Sequence, residues 1–204
     1  MFVVIEGIEG SGKSTLLSGL AQRLRAEGCD VVETREPGGT PAGDAIREIF
    51  LNRAVAISPL TESLLVNAAR AQHVADVVRP ALAAGSVVLC DRYTDSTLAY
   101  QGFGRGLDLE ALRLLCNTAT AGLEPDLVLL LDAPVSVVRD RLRQRTPAPD
   151  RIENEEDAFH ERVRRGFLEL ARLPRHRVLD ATLPPGELLA EALREVRSAE
   201  ARVS

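Results

Sequence analysis

Hydrophobic and polar positions along this chain follow two alternating periods. Phe2-Val3-Val4-Ile5 is a short continuous apolar run, and Asp30 to Thr34, Ser86 to Asp91, Leu127 to Asp132 and Arg177 to Asp180 repeat it, each bounded by Gly, Pro or charged residues. Between these runs the apolar positions recur at helical spacing, as with Leu16, Leu17, Leu20 and Leu24, and predict helices over 13–27, 41–51, 60–84, 108–121, 134–145, 154–172 and 186–199. Strands that are apolar at consecutive positions are covered on both faces, and strands that alternate with helices run parallel. The pattern therefore predicts an α/β fold, a parallel sheet of about five strands with helices on both faces. No repeat or linker divides the 204 residues, so one domain over 1–204 is expected.

Composition narrows the function. A 45% hydrophobic and 27% charged chain is globular rather than disordered. The net charge of −5 offers no bulk attraction for nucleic acid or an anionic membrane, so any bound anion must be held locally. With 3% aromatic residues and no Trp, the chain lacks the rings of a base-stacking nucleic-acid binder. Cys29, Cys90 and Cys116 are widely spaced, with no C-x-x-C pair and no neighbouring His, which points to reduced thiols rather than a disulfide frame or a zinc site. No export signal or membrane span is read, so a cytoplasmic location is expected.

The 25 basic residues include a single lysine, Lys13. It lies in Gly7-Ile8-Glu9-Gly10-Ser11-Gly12-Lys13-Ser14-Thr15, which fits the phosphate-binding pattern G-x-x-x-x-G-K-[ST] between a predicted strand and a predicted helix. Glycines there let backbone N–H groups converge on phosphate oxygens, and the helix N-terminus adds positive potential. Lys13 would reach the β- and γ-phosphates and the Ser14 hydroxyl would ligate magnesium. The predicted fold is thus of the P-loop NTPase type.

Two strands end in aspartate, Asp91 and Asp132, at the edge of a parallel sheet where ligands bind, and either could hold magnesium directly or through water. For Asp132 a strand-end or capping role before Pro134 is an equal alternative. A guanine-specific N-K-x-D motif is impossible when the only Lys is in the P-loop, and no D-x-x-G or L-S-G-G-Q motif is present. These absences leave a small kinase with an acceptor pocket and a mobile lid. Arg145 and Arg151 flank the Pro-broken segment Thr146-Pro147-Ala148-Pro149, within a lid expected over about 141–153, and either could neutralise charge on a transferring phosphoryl group.

The motifs Thr34-Arg35-Glu36-Pro37-Gly38-Gly39-Thr40, Ala68-Ala69-Arg70, Asp91-Arg92-Tyr93 through Ala99-Tyr100-Gln101-Gly102, and Asp150-Arg151-Ile152-Glu153 complete a resemblance, over nearly the whole length, to the bacterial thymidylate kinases. The resemblance implies transfer of the γ-phosphate of ATP to dTMP with Mg2+, by a homodimer. It implies that Arg92 and Arg47 grip the dTMP phosphate, that Arg70 hydrogen-bonds the thymine edge and that Pro37 packs near its methyl group. Tyr100 would crowd the 2′ position of the sugar, with Thr97 and Gln101 in the same pocket, and Glu9 would sit near the sugar and the arginines. Ala181 and Thr182 resemble the adenine-flanking loop. Lys13, Glu9, Arg92, Arg145 and Arg151 form the implied catalytic set, with Ser14 and Asp91 on the metal. One departure is Val66, where many relatives place a Phe that stacks on thymine. Another P-loop nucleoside or nucleotide kinase, or a nucleotide-binding regulator without catalysis, are the alternatives.

Overall fold

The computed structural model describes residues 1–144 and 150–203. Among them five strands form one sheet: β1 (Phe2–Glu6), β2 (Val31–Arg35), β3 (Val87–Asp91), β4 (Leu127–Asp132) and β5 (His176–Asp180). The order is β2-β3-β1-β4-β5, with each neighbouring pair parallel. The expected parallel sheet is thus observed, with β5 beginning one residue earlier than the pattern suggested.

Side-chain alternation divides the strands between two cores. Val3, Ile5, Leu89 and Leu129 enter the larger, with residues of α1 (Lys13–Ala26), α8 (Asp157–Leu170) and α9 (Pro185–Val203). Phe2, Val4, Val88, Cys90 and Val128 enter the smaller, with Val74, Val78 and Tyr93. Burying each Val or Leu is worth about 1.5–3 kcal/mol, and a one-residue slip would exchange the β1 and β3 occupants of the two cores, so the register is strongly specified. That register sets Ile5 opposite both Asp91 and Leu129, which brings the loop after β1 level with the end of β3.

Helix starts follow local chemistry. Thr40, Ser58 and Asp108 cap α2 (Pro41–Leu51), α3 (Pro59–His73) and α6 (Leu109–Thr120), their side-chain oxygens accepting from Gly43, Thr61 and Ala111 N–H. Pro41 and Pro59 occupy the first helical position, where no donor is lost. The helix expected over 60–84 is interrupted by a π-helical turn at Val74–Val78 before α4 (Arg79–Ala83). Pro80 explains it: its ring would clash with the carbonyl four residues back, and the wider turn relieves that contact.

A further segment was not anticipated as helical, α5 (Thr94–Thr97) running into a π-helical stretch at Leu98–Gly104. It is buried nearly all round, with Thr97, Tyr100 and Gln101 inside, so no polar face marks it in the sequence. The remaining helix, α7 (Val135–Arg143), precedes the segment at 145–149 that lies outside the described residues, as does Arg145.

Candidate active site

The loop after β1 wraps over the start of α1. Gly7 has φ +141 and Gly12 φ +98, and a Cβ at Gly7 would lie 2.5 Å from the Leu131 carbonyl oxygen, so this path is open to glycine only. Lys13 is buried and donates through Nζ to the carbonyls of Gly7 and Ile8, each at 3.0 Å. Burial, with Arg92 nearby, lowers its pKa to about 8.

From β3, Asp91 comes within 3.3 Å of Ser14 Oγ through Oδ2, while its buried Oδ1 has no hydrogen-bond partner among the described residues. Arg92 follows with φ +74, in the left-handed region that a non-glycine residue seldom occupies. Its Nη1 donates to Gly7 O (3.0 Å) and Ser96 Oγ (3.1 Å), and its Nη2 to Glu9 Oε1 (2.8 Å). Tyr100 OH donates to Glu9 Oε2 at 2.6 Å. Burial works against the Glu9 charge, but Arg92 and Lys13 outweigh it and hold the carboxyl below its ordinary pKa. Burial also raises the Tyr100 pKa well above the ordinary phenol, which keeps the hydroxyl a donor.

Behind them, buried Glu6 accepts from Tyr93 N–H (2.8 Å), Ser96 N–H (3.2 Å) and Ser96 Oγ (2.6 Å). Burial, and then Asp95, push its pKa up to about 7. A folded-state value above the unfolded one near 4.5 means the native protein binds more protons between those pH values. Stability from Glu6 is therefore present at acid pH and falls as pH rises from about 4.5 to about 7. Glu6→Gln is expected to flatten that part of the profile, which chemical denaturation at stepped pH measures; an unchanged slope assigns the pH dependence to other groups.

On the far wall Arg70 is 2% exposed. Its Nε donates to Glu36 (2.7 Å), its Nη1 to Asn67 (2.9 Å) and Thr97 (3.0 Å), and its Nη2 to Tyr93 O (2.8 Å). Nη1 also reaches Cys116 Sγ at 3.6 Å, so its two N–H groups are shared among three acceptors, while Nη2 has two N–H groups and one acceptor, which leaves one N–H to spare. Glu36 is shared with His73 Nδ1 at 2.9 Å, so α3 and the end of β2 are fixed together.

Of these groups Glu9, Lys13, Ser14, Glu36, Arg70, Asp91, Arg92, Ser96 and Tyr100 line a cleft of about 410 Å³, joined by Arg47, Pro37, Val66, Thr97 and Gln101. A phosphate-binding loop at one end and a half-apolar compartment with a spare guanidinium donor at the other suit two ligands meeting near Lys13 and Arg92. The thymidylate kinase family model matches residues 5–192.

The chain belongs to the thymidylate kinase family. It is 53% identical over 193 residues to the thymidylate kinase of Deinococcus radiodurans, spanning 94% of this chain and 93% of that one. Against the thymidylate kinase of Thermomicrobium roseum the identity is 53% over 194 residues, covering 94% and 91%. The crystal structure of thymidylate kinase from Ehrlichia chaffeensis superposes with a TM-score of 0.78 at 30% identity, covering 96% of this chain and 98% of that one. As a thymidylate kinase the chain is an enzyme that phosphorylates dTMP at the expense of ATP.

Within this thymidylate kinase the expected site residues divide. Glu9, Gly10, Gly12, Lys13, Ser14 and Thr15 line the cleft, as do Pro37, Arg47, Val66, Arg70, Asp91, Arg92, Thr97, Tyr100 and Gln101. Gly7, Ile8 and Ser11 form the rear of the phosphate loop and do not line it. Ala181 is buried, its carbonyl accepting from Arg141 Nη2 at 2.9 Å, and Thr182 turns onto Asp180. Arg151 does not line the cleft: Nη1 donates to Glu62 at 2.5 Å and Nε to Phe50 O at 2.9 Å, while buried Nη2 has no hydrogen-bond partner among the described residues. Asp132 receives two hydrogen bonds from Arg164, at 2.7 and 2.9 Å, which favours the structural alternative for it. Sequence reasoning gave no role to Glu36, Glu62, Asn67 or Ser96. Glu62, between Thr61 and Ser63 near the start of a predicted helix, reads as an ordinary first-turn acid, and only Glu36 and Ser96 carry a signal, by lying within the family motifs.

Proposed function

We propose that ATP binds with its phosphates on the loop from Gly7 to Thr15 and that dTMP lies against Arg92, Arg47, Arg70 and Tyr100, so that the γ-phosphoryl group passes to the dTMP phosphate between Lys13 and Arg92. The observation that carries this reading is the convergence of the P-loop lysine, the Arg92–Glu9–Tyr100 cluster and the one spare Arg70 donor on a single cleft. Arg92 and Arg47 offer planar forks that match phosphate oxygens, and Glu9 keeps Arg92 in place until the substrate arrives. Tyr100, fixed by Glu9, would stand where a 2′-hydroxyl would need room. A hydroxyl and a carboxylate oxygen with an unpartnered lone pair suit Mg2+, so Ser14 and Asp91 would hold it, directly or through water. When bound, the ion supplies positive charge that neutralises phosphoryl oxygens.

Arg141 lines the cleft between the P-loop and Ala181, at the expected adenine end. Arg151 would have to leave Glu62 to act as a lid finger; Arg145 keeps that expected role, and 1–204 is read as one kinase domain. A coupled assay for ADP formation over a panel of nucleoside monophosphates tests the reading. ADP release that depends on dTMP and exceeds that with every ribonucleotide supports it, and preference for another acceptor overturns it.

Val66 lies in the base compartment, where an aliphatic side chain gives contact without a π-face. Val66→Phe is expected to tighten dTMP binding about fivefold, since base–aromatic stacking is worth about 1–3 kcal/mol per base and the core neighbours take part of that back. Calorimetric titration checks it, and a lower Tm with unchanged Kd assigns Val66 to packing alone.

A homodimer is proposed through α3 and its packing neighbours. Leu60 and Leu64 are 58% and 51% exposed on α3, and Leu114 is 69% exposed on α6, which packs beside it. Light scattering is expected to give twice the 22.1 kDa chain mass, and Leu64→Glu to halve it. A wild-type monomer overturns this surface as an interface. The substrates, and cysteines free among the described residues, support a cytoplasmic enzyme. No helix among the described residues is long and apolar enough to cross a membrane.

A further inference from the structure

Glu62 lies in the first turn of α3 and is 1% exposed. Its Oε1 accepts from Arg151 Nη1 (2.5 Å) and Arg105 Nη2 (3.1 Å), and its Oε2 from Arg105 Nε (3.3 Å) and Gln101 Nε2 (3.1 Å). The two guanidinium groups offset the cost of burying the carboxylate. A carboxylate between two cations has no proton to donate, so it can meet the Gln101 amide only at its nitrogen. Gln101 is 2% exposed and lines the cleft, and with Nε2 turned to Glu62 its Oε1 is left as an acceptor for whatever binds beside it.

We propose that Glu62 is a specificity-determining positioning residue: by holding the nitrogen of Gln101, it presents the amide oxygen to the N3–H of a thymine base. The inference rests on the reading that this compartment takes the base of dTMP. Cytosine carries a lone pair at N3 where thymine carries a hydrogen, so a fixed amide oxygen meets it acceptor to acceptor. If the amide could rotate, it would serve either base, and the cleft would lose that part of its selectivity. Arg70 reads another edge with its spare N–H, so two groups divide the discrimination. The Glu62 carboxylate also holds Arg151 and, through Arg105, Glu155 at 2.7 Å, so the amide is anchored to the end of the expected lid and to the residues just after it.

Glu62→Gln keeps the shape, removes the charge and can offer Gln101 either a donor or an acceptor. The ratio of kcat/KM for dTMP to that for dCMP is expected to fall at least ~10-fold, because a misdirected buried polar group is what rejects the wrong substrate most strongly. A purely structural role lowers turnover of both substrates together, and an unchanged ratio in the folded variant overturns the proposal. Gln101→Leu is expected to lower the same ratio, with Glu62→Gln adding nothing in that background; additive losses also overturn it. Should Glu62→Gln fail to fold, the side-chain amide of Gln101 in the isotope-labelled wild-type enzyme, assigned by its disappearance in Gln101→Leu, decides. One slowly exchanging amide proton supports the anchor, and two protons exchanging at solvent rates overturn it. Wild-type enzyme with no preference for dTMP over dCMP removes the substrate reading itself, whereas a preference that survives Glu62→Gln removes only the role of Glu62.

Discussion

Lys13→Met is expected to give a folded protein whose kcat is lower by about 10²–10³-fold or more, the range seen when one preorganised charge-stabilising donor is removed. Lys13 is the chain's one lysine, and its ammonium rests on two carbonyls of its own loop, so no neighbouring amine can replace it. Stability is expected to hold. Burial has lowered the Lys13 pKa to about 8 from 10.5, so the charge opposes the native state at neutral pH and Met removes that opposition. The sign is checkable: the unfolded chain binds more protons between about 8 and 10.5, so wild-type stability gains a component as pH rises through that window, and the variant lacks it. Single-turnover kinetics with an unfolding curve test both halves, and near-normal kcat in folded Lys13→Met would falsify the phosphate-contact role.

Arg92→Ala is expected to lower kcat/KM for dTMP by about 10²–10³-fold, because one guanidinium supplies the proposed phosphate fork and the partner of Glu9. It also leaves a carboxylate without its main cation in a buried setting, so Tm should fall as well. Arg92→Gly separates the two effects. The backbone at φ +74 costs an L side chain roughly 1–2 kcal/mol that glycine does not incur, so Arg92→Gly should be as inactive as Arg92→Ala yet melt above it. Steady-state kinetics and calorimetry on the pair decide; equal melting temperatures would show that the left-handed backbone carries no penalty here.

The contrast between β1 and α5 explains what could be read from the sequence. β1 is a continuous apolar run ending in a glycine-rich phosphate pattern, so strand, turn, helix start and ligand class were all legible from Phe2 to Thr15. α5 and the π-helical stretch after it lie between the cleft and α8, with Thr97 and Gln101 as buried as Leu98, and amphipathic periodicity vanishes when both faces are covered. Motif resemblance, rather than periodicity, located the functional residues there. Arg151 shows another limit: a lid arginine that reaches a phosphate and one that ties down a loop have the same sequence signature, and only Glu62 and the Phe50 carbonyl tell them apart. Arg70 was legible as a base contact but not as a residue with four of its five donors already committed.

The solitary ε-amino group also turns the phosphate loop into a labelling site. Amine-selective acylation can modify one side chain per molecule, and once the label on Lys13 is told from that on the Met1 α-amino group by peptide mapping, its extent and the loss of activity report on the same atom without mutagenesis. With a pKa of about 8, roughly half of that amine is uncharged and nucleophilic in a mildly alkaline buffer, while its burial under the loop sets how fast a reagent arrives. Protection by a bound nucleotide would then read occupancy of the loop directly, in an enzyme whose other basic side chains are all arginines or histidines that such reagents pass over.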